Sequence, residues 1–565
     1  MVATLLQFRT AIATHLGRVL EVPAESLLPL VQQDTAHRKA GHGVFSVVIK
    51  RLPGGPLDEE RIRQSVELSE NTQEYVSNAR RVKDMLLFDP APGKLIRLAI
   101  QDTYNLFGSE ASDSEVVTSP VALGKRHRET DRAVIVNGLS LQQDENGYCA
   151  LRRTTVTGFI SRLVGGKEAV RVFCEQSDGK EAIKGLFRGL NLESTDQETS
   201  SVETHLLTIE ETIKTCKDIK TVSKDGSWSV QLSSKGQVKV YTPLSSTPAT
   251  TTTSGEPLAR GMPTPLVQTM AFIASHFSEH NSLDRYIWVV PDGRRQFAEQ
   301  LLELAKMIYT PREADGSEEG QERTKRPSWP DLVEVVVFGP AAETGKEKTD
   351  TESSDGAPAR MARIMDYAKA EMCKIIVENR GGSLGDDGYE DEDFEDDKVA
   401  LDEEALSRMA TILAKSAIVV ACAGTRRLKK LNVNMKQLLD GKGNSGVFLQ
   451  YVSSRLCGIE RKSGTRLNPE ANLSLLQPYP EAFHLALVIA EWVDIQDTLT
   501  QSLDPYPLVN YLFHLAAEIG QANRVFRVKD MEASVAEARW LLFWCAKRVL
   551  EHGLTLLGLE SVERM

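Results

Sequence analysis

From Glu403 to the C-terminus, nearly every long segment repeats its apolar residues at helical spacing. SRMATILAKSAIVVACA, VFLQYVSSRLCGIERK, EAFHLALVIAEWVDIQDTLTQSL, LVNYLFHLAAEIGQANRVFRV and VAEARWLLFWCAKRVLEHGLTLLGL each place apolar side chains three and four positions apart. Such a stripe is stable only when another stripe covers it. Five of them in succession, with NMKQLLD between the first two, therefore predict a helical bundle over the last third of the chain.

The preceding region reads differently. Strand-like runs (AVIVNGLSL, AVRVFCEQ, YIWVVP, LVEVVVFGP) alternate with helical patterns (LRRTTVTGFISRLVG, PLVQTMAFIASHF, RRQFAEQLLELAKMIY). Strands separated by helices of ten or more residues predict a parallel sheet, doubly wound. SWSVQL and GQVKVY predict a hairpin. Residues 1–107 form a first α/β unit: an amphipathic helix, a strand at FSVVIK, then helical segments over EERIRQSVELSENTQEYVSNARRV and GKLIRLAIQDTYNLF. The organisation predicted is 1–107, a linker at 108–131, an α/β core at 132–382, an acidic loop at 383–402, a helical connector at 403–470 and a terminal helical domain at 471–565.

The chain has 565 residues, with 67 Lys+Arg against 79 Asp+Glu and a net charge of −12. That mean field repels phosphate, so any contact with nucleic acid has to come from a local patch. Seven cysteines lie far apart with no C-x-x-C, which argues against a zinc ribbon or a disulfide framework and fits a reducing compartment. The longest apolar runs fall short of the ~20 residues a bilayer requires, so no membrane partner is expected. MVATLLQFRTAIATHLGRVL has two arginines and no acid, as a mitochondrial leader has. Leu5, Phe8, Ile12 and Leu16 share one face, which favours a native helix and a cytoplasmic protein.

Three motifs have chemical readings. GKGNSG (441–446) has dinucleotide-loop spacing but follows a helix, so a helix–loop–helix turn is expected. HFSEH (276–280) has the spacing of an inverted zinc motif with no third ligand, so a solvated helix end is expected and no metal. GDDGYEDEDFEDDK (385–398) reads as a solvated insertion, with partner docking as the sharper alternative. Against the acidic background, GTRRLKKLN and the segment after it gather Arg426, Arg427, Lys429, Lys430, Arg455, Arg461 and Lys462, as a phosphate-binding surface does.

GNSGVFLQYVSSRLCGIERK resembles the arginyl-tRNA synthetase segment with a Gly-x-x-Gly-x-x-Leu-Gln-Tyr-x-x-x-Arg-Leu pattern, here Gly443, Gly446, Leu449, Gln450, Tyr451, Arg455 and Leu456. The C-terminal region, ending GLTLLGL (553–559) and Glu563-Arg564-Met565, resembles the DALR anticodon-binding domain of that family. DRYIWVVPDGRRQFAEQLLELAKMI and HGVFSVVIKRL resemble the strand–helix pair before its second catalytic signature and its N-terminal additional domain. The resemblance implies a class I synthetase Rossmann-type core between an N-terminal α/β additional domain and a C-terminal DALR bundle.

The departures fall on the chemistry. The family's H-x-G-H tetrad would align near Gly147-Tyr148-Cys149-Ala150, and no histidine occurs between Asp131 and Lys180. Those imidazoles stabilise phosphate charge. At the lysine loop stands ETGKEKTDTESSDG, where only Lys346 and Lys348 resemble the triphosphate clamp. The family's arginine pocket has no counterpart around ENGYCALRR. The expectation is a degenerate, non-catalytic core with no cofactor, and tRNA, arginine tRNA in particular, as partner. The implied contacts are Arg426, Arg427, Gln450, Tyr451, Arg455, Asn510 and Arg524, with Tyr451 stacking and arginines on phosphates. DALR anticodon-binding-domain-containing proteins share this architecture. By analogy with them the chain is an adaptor for a tRNA 3-methylcytidine methyltransferase. The alternatives are a divergent arginine–tRNA ligase using ATP and magnesium, and a protein-interaction scaffold.

Overall fold

The computed structural model describes residues 3–33, 44–53, 58–108, 133–139, 146–164, 170–174, 192–194, 200–215, 220–222, 227–233, 236–242, 262–279, 283–309, 328–344, 357–381, 402–441 and 443–565. Most of the linker, the acidic run, Lys346 and Lys348 lie outside the described residues.

The N-terminal unit opens with helix α1 (Thr4–Leu20), which buries Leu5, Phe8, Ile12, Leu16 and Leu20 as its periodicity requires. Strands β1 (Gln32–Gln33), β2 (Phe45–Val48), β3 (Val76–Val82) and β4 (Met85–Pro90) form an antiparallel sheet in the order β1-β2-β4-β3, followed by α2 (Pro92–Phe107). VSNARRV, expected as helix, is extended instead. It is a strand, turning at Lys83 (φ 54°) and Asp84 to pair with MLLFDP. Pairing with β4 overrides the weak helical pattern of this polar run.

The core begins with β5 (Ala133–Leu139), α3 (Gly147–Val164), β6 (Val170–Cys174), β7 (Leu192–Ser194) and α4 (Ser200–Thr215). Strands β8 (Lys220–Val222), β9 (Trp228–Leu232), β10 (Gly236–Thr242) and β11 (Met262–Pro263) make an antiparallel sheet in the order β11-β10-β9-β8, with the expected hairpin at its centre. Then come α5 (Pro265–Glu279), β12 (Leu283–Pro291), α6 (Arg295–Tyr309), β13 (Val333–Phe338), β14 (Ala341–Glu343) and α7 (Ala357–Gly381). The main sheet is parallel, in the order β13-β12-β5-β6-β7. Its strands are buried on both faces. Val136, Ile287, Val289, Val336 and Phe338 enter one apolar cluster, while their neighbours Ile135, Tyr286, Trp288, Val290 and Val337 enter the other. A period of two with apolar residues on both sides is what a doubly wound sheet demands.

The C-terminal third consists of α8 (Glu403–Ala423), β15 (Leu431–Val433), a short helix Met435–Leu439, α9 (Gly446–Ser463), α10 (Pro480–Ala490), α11 (Trp492–Ser502), α12 (Tyr506–Val525) and α13 (Ala533–Leu556). By length and composition α8 could cross a membrane, longer than the apolar runs in the sequence reading suggested. Here it is a core helix, with Ala410, Ala414 and even Ser416 fully buried. The bundle shares one apolar cluster with the N-terminal unit. Arg9 pairs with Asp494 at 2.7 Å, Gln33 donates to Glu491 at 2.6 Å, and the Phe107 and His552 rings meet at 5.5 Å. A two-stranded parallel ladder, β14 on β15, ties the bundle to the core.

Candidate nucleic-acid interface

The basic loop begins where Gly424 ends α8, its N–H donating to Val420 O at 2.7 Å. Arg426, Lys429 and Lys430 are exposed. The Arg426 guanidinium lies 5.4 Å from the centre of the Tyr506 ring at the start of α12. The exposed Asn510 stands one turn further along. Hydrogen bonds from Asn510 and then Arg426, with the charges of Arg426 and Lys429, hold the Tyr506 hydroxyl below its ordinary pKa. Tyr506, absent from the sequence reading, is thus an aromatic face framed by cations. Only the fold brings it to the loop, 80 residues away in sequence (506 − 426).

Arg427 does not join this surface. Its Nη1 donates to Val337 O at 2.5 Å and its backbone N–H to Asp504 Oδ2 at 3.2 Å. Burial lowers its pKa, while Asp504 and Glu334 oppose the shift. It pins the loop to β13 instead of reaching outward.

Gln450 is also inside. It is fully buried, donates to Ser416 Oγ at 2.9 Å and Glu560 O at 2.7 Å, and accepts from Val562 N at 2.9 Å. Its amide fastens the C-terminal segment to α8 and α9, so its place in the contact set is corrected to a structural one. Tyr451 beside it is 39% exposed. Arg455 follows one turn later on the same face of α9. With the Asn523 amide oxygen turned toward it, Arg455 donates Nε and Nη2 at 2.8 and 2.7 Å. That pair links α9 to the last turn of α12, where Arg524 and Val525 are exposed. The expected contacts therefore form two groups. Arg426 and Asn510 stand at one end of α12, and Tyr451, Arg455 and Arg524 at the other. Asn510 and Arg524 are fourteen residues apart (524 − 510), about 21 Å at the helical rise.

Residues 449–565 match the DALR anticodon binding domain family. A probable cytoplasmic arginine–tRNA ligase of Dictyostelium discoideum is 44% identical over 158 residues, 28% of this chain and 27% of that protein. Its counterpart in Schizosaccharomyces pombe is 29% identical over 205 residues, 36% of this chain and 30% of that one. The arginyl-tRNA synthetase of Thermus thermophilus has the same fold, with a TM-score of 0.63 at 14% identity over 99% of this chain and 100% of that chain. The chain has the arginyl-tRNA synthetase fold and carries a DALR anticodon binding domain at 449–565. It spans under a third of the length of the curated relatives it matches in sequence. The DALR match takes in α9 from Leu449, ahead of Asn472 and the helices after it.

The tetrad Gly147-Tyr148-Cys149-Ala150 falls on the first turn of α3, the element that follows β5. That turn is closed. Asn146 caps it, accepting from Cys149 N at 2.8 Å, and donates Nδ2 to Ala341 O at 3.1 Å. Cys149 Sγ donates to the same carbonyl at 3.3 Å and accepts from Ala341 N at 3.1 Å. Tyr148 and Ala150 are buried. A Cβ on Gly147 would lie 2.6 Å from Ile364 Cδ1 and 3.1 Å from Arg360 Cβ. A helix N-terminus binds phosphate through open N–H groups and its dipole. Here β14 and α7 stand against that end and a side chain already caps it, so these residues do not fit ATP. No group of three metal-ligating side chains occurs among the described residues.

The remaining motifs resolve simply. Ser445 caps α9, accepting from Phe448 N at 3.2 Å, so GKGNSG is the connection between two helices, with Lys442 outside the described residues. His276 is buried against Phe272 (ring centres 4.5 Å) and Tyr286, which corrects the expected solvated helix end. His280 lies outside the described residues.

Proposed function

We propose that this protein is a non-catalytic, tRNA-binding member of the arginyl-tRNA synthetase family, which recognises arginine tRNA through the DALR domain and delivers it to a tRNA-modifying methyltransferase. The observation that carries the non-catalytic part is the closed first turn of α3. Asn146, Cys149 and Ala341 occupy each other there, and no imidazole is present. The RNA-binding part is supported by the DALR match over 449–565 and by two groups of cations with an aromatic in each: the exposed Arg426 and Lys429 beside the half-buried Tyr506, and the exposed Arg524 with the half-buried Arg455 near the exposed Tyr451. Aromatic faces stack on unpaired bases while cations hold the backbone, the arrangement single-stranded loops of RNA require. The methyltransferase partner rests on architectural analogy.

A divergent arginine–tRNA ligase is the second reading, favoured by the 44% identity to a protein named as that enzyme. Charging assays with purified chain, ATP, magnesium, arginine and arginine tRNA separate the two. The proposal expects no arginyl-tRNA above background and saturable tRNA binding under the same conditions. ATP-dependent charging would overturn it. Recovery of the chain from its own cells with neither arginine tRNA nor a methyltransferase would remove the adaptor role and favour a protein scaffold.

A further inference from the structure

The side chain of Arg152, in the second turn of α3, is fully buried. Its hydrogen-bond partners are backbone carbonyls. Nη1 donates to Gly339 O at 3.2 Å, Pro340 O at 3.1 Å and Lys429 O at 2.6 Å. Nη2 donates to Thr425 O at 3.4 Å, Arg426 O at 3.0 Å and Arg427 O at 3.2 Å. A buried guanidinium is costly unless its donors are satisfied. Here carbonyls from two distant segments satisfy both Nη groups as a carboxylate usually does, and only Nε is left without a hydrogen-bond partner among the described residues.

The consequence for the loop is geometric. Four of its carbonyls, at 425, 426, 427 and 429, turn inward onto one cation, and Arg426, Leu428, Lys429 and Lys430 are left exposed. The loop from Gly424 to Val433 contains no acid, so its cations repel one another. Gly339 permits the arrangement. Its N–H donates to Arg427 O at 2.7 Å, and a Cβ there would lie 2.7 Å from the Leu428 and Lys429 carbonyl oxygens. We propose that Arg152 is a positioning residue for RNA: from the closed nucleotide end of the core, it gathers the carbonyls of the 425–429 loop so that Arg426, Lys429 and Lys430 face a phosphate backbone. This rests on the tRNA reading above.

The test uses the full chain and three variants: Arg152→Met, Arg152→Lys and the surface triple Arg426→Gln/Lys429→Gln/Lys430→Gln. Hydrogen exchange reports the loop, and arginine tRNA titrated between 50 and 200 mM salt reports contacts. In Arg152→Met, exchange over 425–431 should rise tenfold or more with α12 unchanged. Lysine has three donors on one nitrogen and should fall between Met and Arg. Affinity should drop about tenfold in Arg152→Met. The slope of log affinity against log salt should lose about 2, since each phosphate contact contributes ~0.7–0.9. The surface triple leaves the buried cage intact and should lose the same slope. Unchanged exchange in Arg152→Met would overturn the cage. Unchanged affinity and slope in the triple would overturn the loop's role in binding, whether or not Arg152→Met folds. If the unaltered chain binds no tRNA, the functional reading fails, and this inference falls with it even where the exchange results hold.

Discussion

Replacing Gln450 by alanine separates two roles that sequence alone runs together. The side chain makes three hydrogen bonds, to Ser416 Oγ, to Glu560 O and from Val562 N. At about 1 kcal/mol net for each, the substitution costs about 3 kcal/mol. Two of the three hold the segment after α13, so the loss falls on local opening of residues 559–565 before it reaches the whole fold. Those two bonds, about 2 kcal/mol, correspond to about a thirtyfold rise in the opening equilibrium. Hydrogen exchange of the C-terminal peptide reads that factor at the Val562 amide, with the amides of α12 as the internal reference. The tRNA affinity of the folded protein should change by less than twofold, because Gln450 is fully buried. The reasoning is refuted if Val562 protection is unchanged. It is equally refuted if tRNA affinity collapses while protection persists, since Gln450 would then touch RNA.

Gly446→Ala should lower the melting temperature, at a cost of about 3 kcal/mol, because its Cβ would fall 2.1 Å from Ser416 O and only separation of α8 and α9 relieves that. Gly458→Ala on the same helix meets nothing within 4 Å and should be neutral or stabilising by about 0.5–1 kcal/mol, which thermal melts of the pair will compare. Burial lowers the pKa of His552 to about 4, with Arg548 adding to the shift. The unfolded chain therefore binds a proton below pH ~6.5 that the folded chain refuses until about 4, so stability falls by about 3 kcal/mol as pH drops through that window. His552→Phe should flatten that part of the stability–pH curve, and an unaltered curve would contradict the assignment.

What the sequence made legible followed period and local motif. The helical stripes after Glu403, the alternation of strands and helices in the core and the hairpin at 228–242 all appear where their patterns put them. The hairpin at 76–90 was missed because VSNARRV is polar and its turn, Lys83-Asp84, carries no glycine. The contact set was only partly legible for a related reason. Residue type marks Gln450, Tyr451 and Arg455 alike, but helical phase turns Gln450 inward and Tyr451 outward. Arg427 and Arg426 are neighbours with opposite fates, decided by the carbonyl of Val337 and the ring of Tyr506. Arg152 was invisible, since backbone carbonyls 187 to 277 positions away leave no side-chain signature in the sequence.

Recognition without charging centres on the anticodon arm. Its most direct measurement is equilibrium binding of the full chain to arginine tRNA beside the same tRNA with its anticodon bases replaced, at one salt concentration. Saturable binding should weaken at least tenfold when the anticodon is replaced, because Tyr451, Arg455, Tyr506 and Arg524 lie within the DALR match over 449–565. Equal affinity for both RNAs, or none for either, would contradict it.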